Sequence, residues 1–284
     1  MNWQTFIQKN TLKIESVFGK EESSSILKKM AEHITDESYS QIKDIGLTTA
    51  DEAQADAIIL QLLTGRPLQH IIGVSWFYKY PFKVNNTVLI PRPETEELIE
   101  WLLRDMKQQE KWHHNNLILE IGTGTGCISI SLKKERPGDI ITALDVSEDA
   151  LSIANENAKN LKAEIRFIQQ DFIQEKGWDM LEQYDYIISN PPYIPIKDYE
   201  TLEKNVREFE PHLALFVPNQ NPLLFYDKIA AFGRKHLLTG GVIYVEINQQ
   251  YAGETKVLFE KSGYRNVEVR KDISGNERML KATL

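Results

Sequence analysis

Apolar residues recur three and four positions apart through the first seventy residues of this chain. Trp3, Phe6, Ile7, Ile14, Val17 and Phe18 share one helical face, and Ile26, Leu27, Met30 and Ile34 share another. The stretch TTADEAQADAIILQLLTGRP carries both ends of a further helix: Thr48 or Thr49 as the cap, Asp51 and Glu52 at the positive end of the dipole, then Gly65 and Pro67 as the stop. These signals predict a helical bundle over residues 1–73. Over 74–91, VSWFYKYPFKVNNTVLIP, aromatic and β-branched residues flank Asn85-Asn86, which predicts a β-hairpin with an asparagine turn joining two domains. Pro93 occupies a first helical position, Glu94, Glu96 and Glu97 follow it, and that helix is expected to run to about residue 110.

From residue 116 the pattern switches to short apolar runs alternating with amphipathic stretches. Strands are predicted at 116–121, 140–145, 164–169, 184–189, 242–247, 265–271 and 278–283, with helices at 125–136, 147–160, 222–238 and 249–262. Such alternation predicts that residues 92–284 form an α/β domain with a mostly parallel seven-stranded sheet covered on both faces. Only DISGNE separates the last two strands, too little for a crossover helix, so the final strand should enter antiparallel.

Composition narrows the picture. At 284 residues the chain is long enough for one large domain or for two, and two are favoured. No run approaches the roughly 18 apolar residues of a membrane span, and the N-terminus lacks the pattern of a secretion signal, so a cytoplasmic protein is expected. The single cysteine, Cys127, excludes an intramolecular disulfide and a cysteine metal cluster, and it reads as a small buried hydrophobe. His113 and His114 are adjacent in a polar loop rather than at ligand spacing, and no metal is expected. The net charge of −8 argues against stable binding along a nucleic-acid backbone.

Ligands of an open α/β sheet bind beyond the carboxyl ends of its strands, and four of those ends are chemically specific. After the first comes EIGTGTGC, where Gly122, Gly124 and Gly126 allow a tight turn and close ligand approach ahead of a helix N-terminus. The spacing is not the dinucleotide fingerprint, because the third glycine follows the second too closely. The second strand ends at Asp145, placed to accept from ribose hydroxyls, while Ser147 is the better helix cap. Beyond the third lies Asp171-Phe172, a carboxylate for an exocyclic adenine amine beside a ring or backbone for the base. Together these ends describe a pocket for an adenosine compound.

The fourth strand ends in Asn190-Pro191-Pro192-Tyr193. Each proline fixes its own φ and restricts the residue before it, so the Asn190 side-chain oxygen and the Pro191 carbonyl form two preorganised acceptors suited to one planar –NH₂ group. Tyr193 offers a flat face to the group that bears it. An amide nitrogen is a poor nucleophile because its lone pair is delocalised; acceptors holding both protons favour a pyramidal nitrogen aimed at an electrophile. The methyl sulfonium of S-adenosylmethionine is the electrophile that an adenosine pocket suggests.

The chain resembles the class I S-adenosylmethionine-dependent methyltransferases, and among them the HemK-type glutamine methyltransferases that modify peptide chain release factors. The resemblance runs through RPLQHIIG, VLIPRPETEELIE, LEIGTGTGCISISL, ALDVSEDALSIANENA, IISNPPYIP, EFEPHLALF and DISGNERML. It implies a Rossmann-like class I methyltransferase fold with a small N-terminal helical domain that helps dock the release factor. It also implies that Gly122, Thr123, Gly124, Thr125 and Gly126 bind the methionine part of the cofactor, Asp145 the ribose, and Asp171 with Phe172 the adenine. Asn190, Pro191, Pro192 and Tyr193 would hold the glutamine amide of a Gly-Gly-Gln motif, Asn190 also touching the cofactor and, with Pro191, serving catalysis, with S-adenosylhomocysteine as product. Arg92, Glu94 and Thr95 fall in the family's segment near the cofactor and are candidates for support. A monomer is expected.

One position departs from the family pattern: Asn248 stands where a glycine is usual after strand 242–247, which puts the local backbone geometry in question. Asn-Pro-Pro-Tyr also serves methylation of exocyclic amines in DNA, with related motifs in RNA methylation, and a sister family methylates a ribosomal-protein glutamine. Arg92-Pro93-Glu94 in place of that sister family's Arg-Ser-Pro favours the release factor, and the intact Asn190 and Pro191 argue against a non-catalytic cofactor-binding module.

Overall fold

The computed structural model describes residues 1–108, 112 and 114–284. His113, read with His114 as part of a polar loop, lies outside the described residues. Contacts divide the chain into two units, residues 1–74 with 203–209 and residues 75–202 with 210–284. That division differs from 1–73, 74–91 and 92–284 in adding a late segment to the helical unit and in giving nearly all of the hairpin to the larger one.

The helical unit contains α1 (Trp3–Phe18), α2 (Lys20–Thr35), α3 (Tyr39–Ile42), α4 (Thr49–Leu62) and α5 (Leu68–Ile72). Trp3, Phe6, Ile7, Ile14, Leu27 and Met30 meet in its core, with Val17, Ile26 and Ile34 partly buried around them. Gly19, at φ +74°, ends α1 and turns directly into α2, a conformation that a side chain would resist. Thr48 is the cap of α4: its hydroxyl accepts from Asp51 N–H at 3.1 Å, and the Asp51 carboxylate accepts from Thr48 N–H at 3.0 Å. At Gly65 a Cβ would lie 3.6 Å from the Phe209 ring, so the helix Lys204–Phe209 packs close against this point.

In the larger unit the hairpin is β1 (Val74–Phe77) and β2 (Tyr80–Lys83), and it turns at Tyr78 and Lys79 rather than at Asn85-Asn86. Both turn residues have positive φ, 46° and 76°, the twist that a two-residue hairpin loop demands. Tertiary contacts impose it: Tyr78 is buried, its N–H donates to Glu96 at 3.1 Å and its hydroxyl to Glu100 at 2.7 Å. Asn85 instead makes a local turn, its Oδ1 accepting from the N–H and hydroxyl of Thr87.

Helix α6 (Pro93–Gln108) leads into the main sheet, formed by β3 (Leu117–Ile121), β4 (Ile140–Asp145), β5 (Arg166–Gln169), β6 (Tyr184–Ser189), and three later strands. Between them run α7 (Cys127–Glu135) and α8 (Glu148–Leu161), then a stretch with no counterpart in the apolar pattern: β7 (Ile194–Pro195), α9 (Lys204–Phe209), α10 (His212–Leu215) and β8 (Phe216–Val217). Helix α11 (Leu224–His236), β9 (Leu237–Glu246), α12 (Ala252–Lys261), β10 (Arg265–Lys271) and β11 (Glu277–Thr283) complete it. The order is β10-β11-β9-β6-β3-β4-β5, with β11 antiparallel to both neighbours, as expected.

Strand β9 begins at Leu237, not 242, and the register beside β6 shifts across Gly240, whose φ is +75°. The glycine pair Gly240-Gly241 thus sits at an irregularity within the strand. The site depends on register. Ile121 pairs with Leu144 on one side and Ser189 on the other, and Ser189 pairs with Val245. The residues after these positions, Gly122, Asp145, Asn190 and Glu246, consequently stand side by side at the carboxyl edge of the sheet. Among the described residues no helix is long and apolar enough to cross a membrane, and no cluster of His, Cys, Asp and Glu is arranged for a metal.

Candidate active site

A cavity of about 400 Å³ opens over that edge, within the larger unit. Its walls include the 122–125 loop, Asp145, the Asp171-Phe172 segment, Asn190 with Pro191 and Pro192, and Arg92 with Thr95. Gly122 and Gly124 have φ of +74° and +54°, and a Cβ added to either would meet nothing within 4 Å. Their backbone thus faces open space. Gly126 differs, since a Cβ there would lie 2.9 Å from Ile130 and 3.3 Å from Ala154, so its bareness lets α7 pack against α8.

Two carboxylates hold this loop. Asp145 accepts from Gly124 N–H at 2.8 Å and Ser147 N–H at 3.0 Å, while Ser147 itself caps α8 through Ala150 N–H. Glu120, fully buried at the end of β3, accepts from the Thr123 hydroxyl at 2.6 Å and Ser129 N–H at 3.1 Å through Oε2. Its Oε1 has no partner although it is buried, and Glu120 lines the cavity. Burial pushes the Glu120 carboxyl up to about 7 against the pull of those bonds. Burial also raises Asp145 above its ordinary value, and pushes the Cys127 thiol up to about 12, so this thiol stays protonated at neutral pH. Thr125 is buried, and its carbonyl accepts from Asn157 at 3.0 Å, tying the loop to α8.

Asp171 spends both oxygens on its own loop, accepting from Ile173 N–H and from Gln174. The Phe172 ring is in the core against Trp178 and Phe232, with centroids 5.2 and 5.4 Å away. This segment reaches the cavity as a wall, and its aromatic ring is already packed on protein.

At the end of β6 the Asn190 amide nitrogen donates to Thr95 Oγ1 at 3.0 Å. Thr95 is buried at the start of α6 and donates its own proton to Glu246 Oε2 at 2.7 Å. The other Glu246 oxygen accepts from the Tyr193 hydroxyl at 3.0 Å. Burial raises the Glu246 carboxyl, and burial together with Glu246 raises the Tyr193 phenol. Among the described residues no hydrogen bond uses Asn190 Oδ1 or the Pro191 carbonyl. Tyr193, expected as a stacking face, is not in the cavity wall; its ring packs beside the core and its hydroxyl is committed.

Arg92 and Thr95 line the cavity, whereas Glu94 does not and bears only on the charge of Glu246. The Arg92 guanidinium is seated on Glu210, whose carboxylate is buried and lies 2.5 Å away. Burial raises Glu210, and Arg92 opposes that rise.

Comparison with known proteins sets this geometry among its relatives. A model of the methyltransferase small domain matches residues 98–213. A release factor glutamine methyltransferase from Flavobacterium psychrophilum is 40% identical over 94% of this chain and 94% of its own. The chain belongs to the release factor glutamine methyltransferase family. Its relatives of that name include one from Bacteroides thetaiotaomicron, 42% identical over 84% of each chain. The catalytic domain of hMettl16, solved with a MAT2A 3'UTR hairpin, shares the fold with a TM-score of 0.54 over 81% of this chain and 80% of that one, at 17% identity.

Within the family, the departure at Asn248 has a structural answer. Its φ of −72° needs no glycine, and its side chain replaces lost freedom with bonds: Nδ2 donates to the Tyr193 carbonyl at 3.0 Å and Oδ1 accepts from Gln250 N–H at 2.9 Å. Two further residues, Glu120 and Glu246, were missed by sequence reasoning. Each is an acid next to last in an apolar run, LILEI and VIYVEI, and a charge near the buried carboxyl end of a strand was the available signal.

Proposed function

We propose that this protein transfers a methyl group from S-adenosylmethionine to the side-chain amide nitrogen of the glutamine in the Gly-Gly-Gln motif of peptide chain release factors. The observation that carries this reading is the pair of uncommitted acceptors, Asn190 Oδ1 and the Pro191 carbonyl, beside a glycine loop with open backbone at the same cavity. An –NH₂ group has two protons to give and a glutamine amide supplies both.

The residues present fit the cofactor. Glu120 Oε1, buried and unpartnered, suits a methionine ammonium, and the open backbone of Gly122 and Gly124 leaves room for the methionine chain. Asp145 has lone pairs left for ribose hydroxyls after its two backbone bonds, and Asp171 with Phe172 borders the adenine end. Bound there, S-adenosylmethionine supplies a methyl carbon on a cationic sulfur. Asn190 and Pro191 orient the amide, hold its two protons so that the nitrogen lone pair turns out of conjugation, and stabilise the positive charge that grows on the nitrogen as it takes the methyl. One N–H proton is then released to solvent, and S-adenosylhomocysteine leaves. Pro192 stiffens the loop, Arg92 on Glu210 presents a fixed cation at the rim, and the 1–73 helices dock the protein substrate. The enzyme works as a cytoplasmic monomer without metal or stable nucleic-acid binding.

The test offers methyl-labelled S-adenosylmethionine with a purified release factor, the same factor with its motif glutamine replaced, ribosomal proteins, DNA and RNA. Label should enter only the intact release factor. Label that persists after the glutamine is replaced would sink the substrate assignment.

A further inference from the structure

A single buried carboxylate reaches the amide-holding loop twice, directly at Tyr193 and through Thr95 at Asn190. Glu246, the last residue of β9, stands beside Asn190 because Ser189 and Val245 are register partners. One of its oxygens accepts from Thr95 Oγ1 at 2.7 Å, the other from the Tyr193 hydroxyl at 3.0 Å. A threonine hydroxyl has one proton. Given to Glu246, that proton leaves Thr95 Oγ1 able only to accept from its remaining neighbour, the Asn190 amide 3.0 Å away.

An asparagine amide has two ends of nearly equal shape and opposite hydrogen-bonding sense. If the –NH₂ end of Asn190 must face Thr95, the carbonyl end must face the cavity. The opposite rotamer would point two donors at a substrate that itself brings donors, and would set the amide oxygen against an oxygen with no proton to give. We infer that Glu246 and Thr95 are positioning residues that fix the Asn190 amide in its acceptor orientation, so that the preference for an –NH₂ substrate is written in the Glu246-Thr95 pair as well as in Asn190.

The rest of the surroundings fit this reading. Burial raises the Glu246 carboxyl, and the hydrogen bonds from Thr95 and Tyr193 together with nearby Arg278, itself paired with Asp272 at 3.2 Å, oppose that rise and favour the acceptor-only form. Asn248 holds the Tyr193 backbone from the other side at 3.0 Å. The stretch DISGNERML lies outside the cavity, yet through Asp272 and Arg278 it backs the carboxylate that backs the site. The inference rests on the amide-transfer reading for its consequence but not for its geometry.

Two measurements separate them. In substrate-free protein labelled with nitrogen-15, the Asn190 carboxamide protons, assigned by their loss in Asn190→Ala, are followed in Thr95→Val and Thr95→Ser. Valine keeps the shape and removes the acceptor, so exchange of these protons with solvent should quicken about tenfold, while serine leaves it within about threefold. In the methyl-transfer assay, Thr95→Val should lower kcat about tenfold or more with cofactor affinity held, and Thr95→Ser should restore most of it. Glu246→Gln leaves one acceptor for two hydroxyl donors, so kcat should fall there too, whichever arm is released. Unchanged carboxamide exchange in Thr95→Val, equal kcat losses in the serine and valine variants, or full activity in Glu246→Gln would each overturn the inference. A wild-type protein that methylates no release factor would instead defeat the proposed substrate, and the exchange measurement would still decide the orientation of Asn190.

Discussion

Glu120 and Glu246 are both buried acids at the carboxyl ends of parallel strands, and they stand at the same edge of the sheet, on the two strands that flank β6. Their oxygens are spent differently. Glu246 has a protein donor on each oxygen, one for the Asn190 arm and one for Tyr193. Glu120 spends one oxygen on Thr123 and Ser129 and keeps the other bare. A buried carboxylate costs several kcal/mol to desolvate and recovers that through its bonds. Satisfied on both sides, it serves rigidity. Left incomplete, it is a binding group waiting for a donor. The loops they support differ in kind to match: the glycine loop offers backbone with nothing in front of it, and the proline loop offers acceptors that cannot turn away.

The sharpest way to break this contrast is Asn190→Ala. Methyl transfer should fall by a factor on the order of 10²–10³, the usual cost of removing a group that steadies a developing charge, while cofactor affinity measured by calorimetry stays within about threefold. Equal losses would make Asn190 part of cofactor binding alone. The next effect is on stability and comes from the other acid. The Glu120 carboxyl titrates near 7 in the folded protein against an ordinary 4.5, so the folded state keeps its proton longer than the unfolded chain does. Its contribution is intact below pH 4.5 and is lost as pH rises to about 7, a span worth about 3 kcal/mol. Denaturant unfolding across that range should show the decline in the wild type and a flatter profile in Glu120→Gln. The same variant should weaken cofactor binding about tenfold at neutral pH, some 1.4 kcal/mol, with kcat at saturation little changed. Smallest is Asn248→Gly, which removes the strap on Tyr193 and should cost about 1 kcal/mol in unfolding with a modest fall in kcat.

The strands and the chemistry at their ends were legible because both are local. LILEI, IITALD and YDYIIS are apolar runs of strand length, and the residues just beyond each are set by neighbours in sequence. The hairpin turn was not legible, because Tyr78 is held there by Glu96 and Glu100, acids eighteen and more residues away, and Lys79 beside it pairs with Glu135. The role of Glu246 was hidden for the same reason: its partners Thr95 and Tyr193 lie 151 and 53 residues from it. Phe172 was found as a site residue, yet its ring is held by Trp178 and Phe232, a packing preference that no single motif carries.

The helical unit includes residues 203–209, with Phe209 against Gly65. That segment follows β3, β4, β5 and β6 in the chain and is synthesised after all four. The N-terminal helices can therefore assemble early but not finish, and their last contact closes a long loop. Folding of the small unit is thus expected to be completed late, in step with the chain that carries the amide-binding residues, although its own sequence is the first to be made.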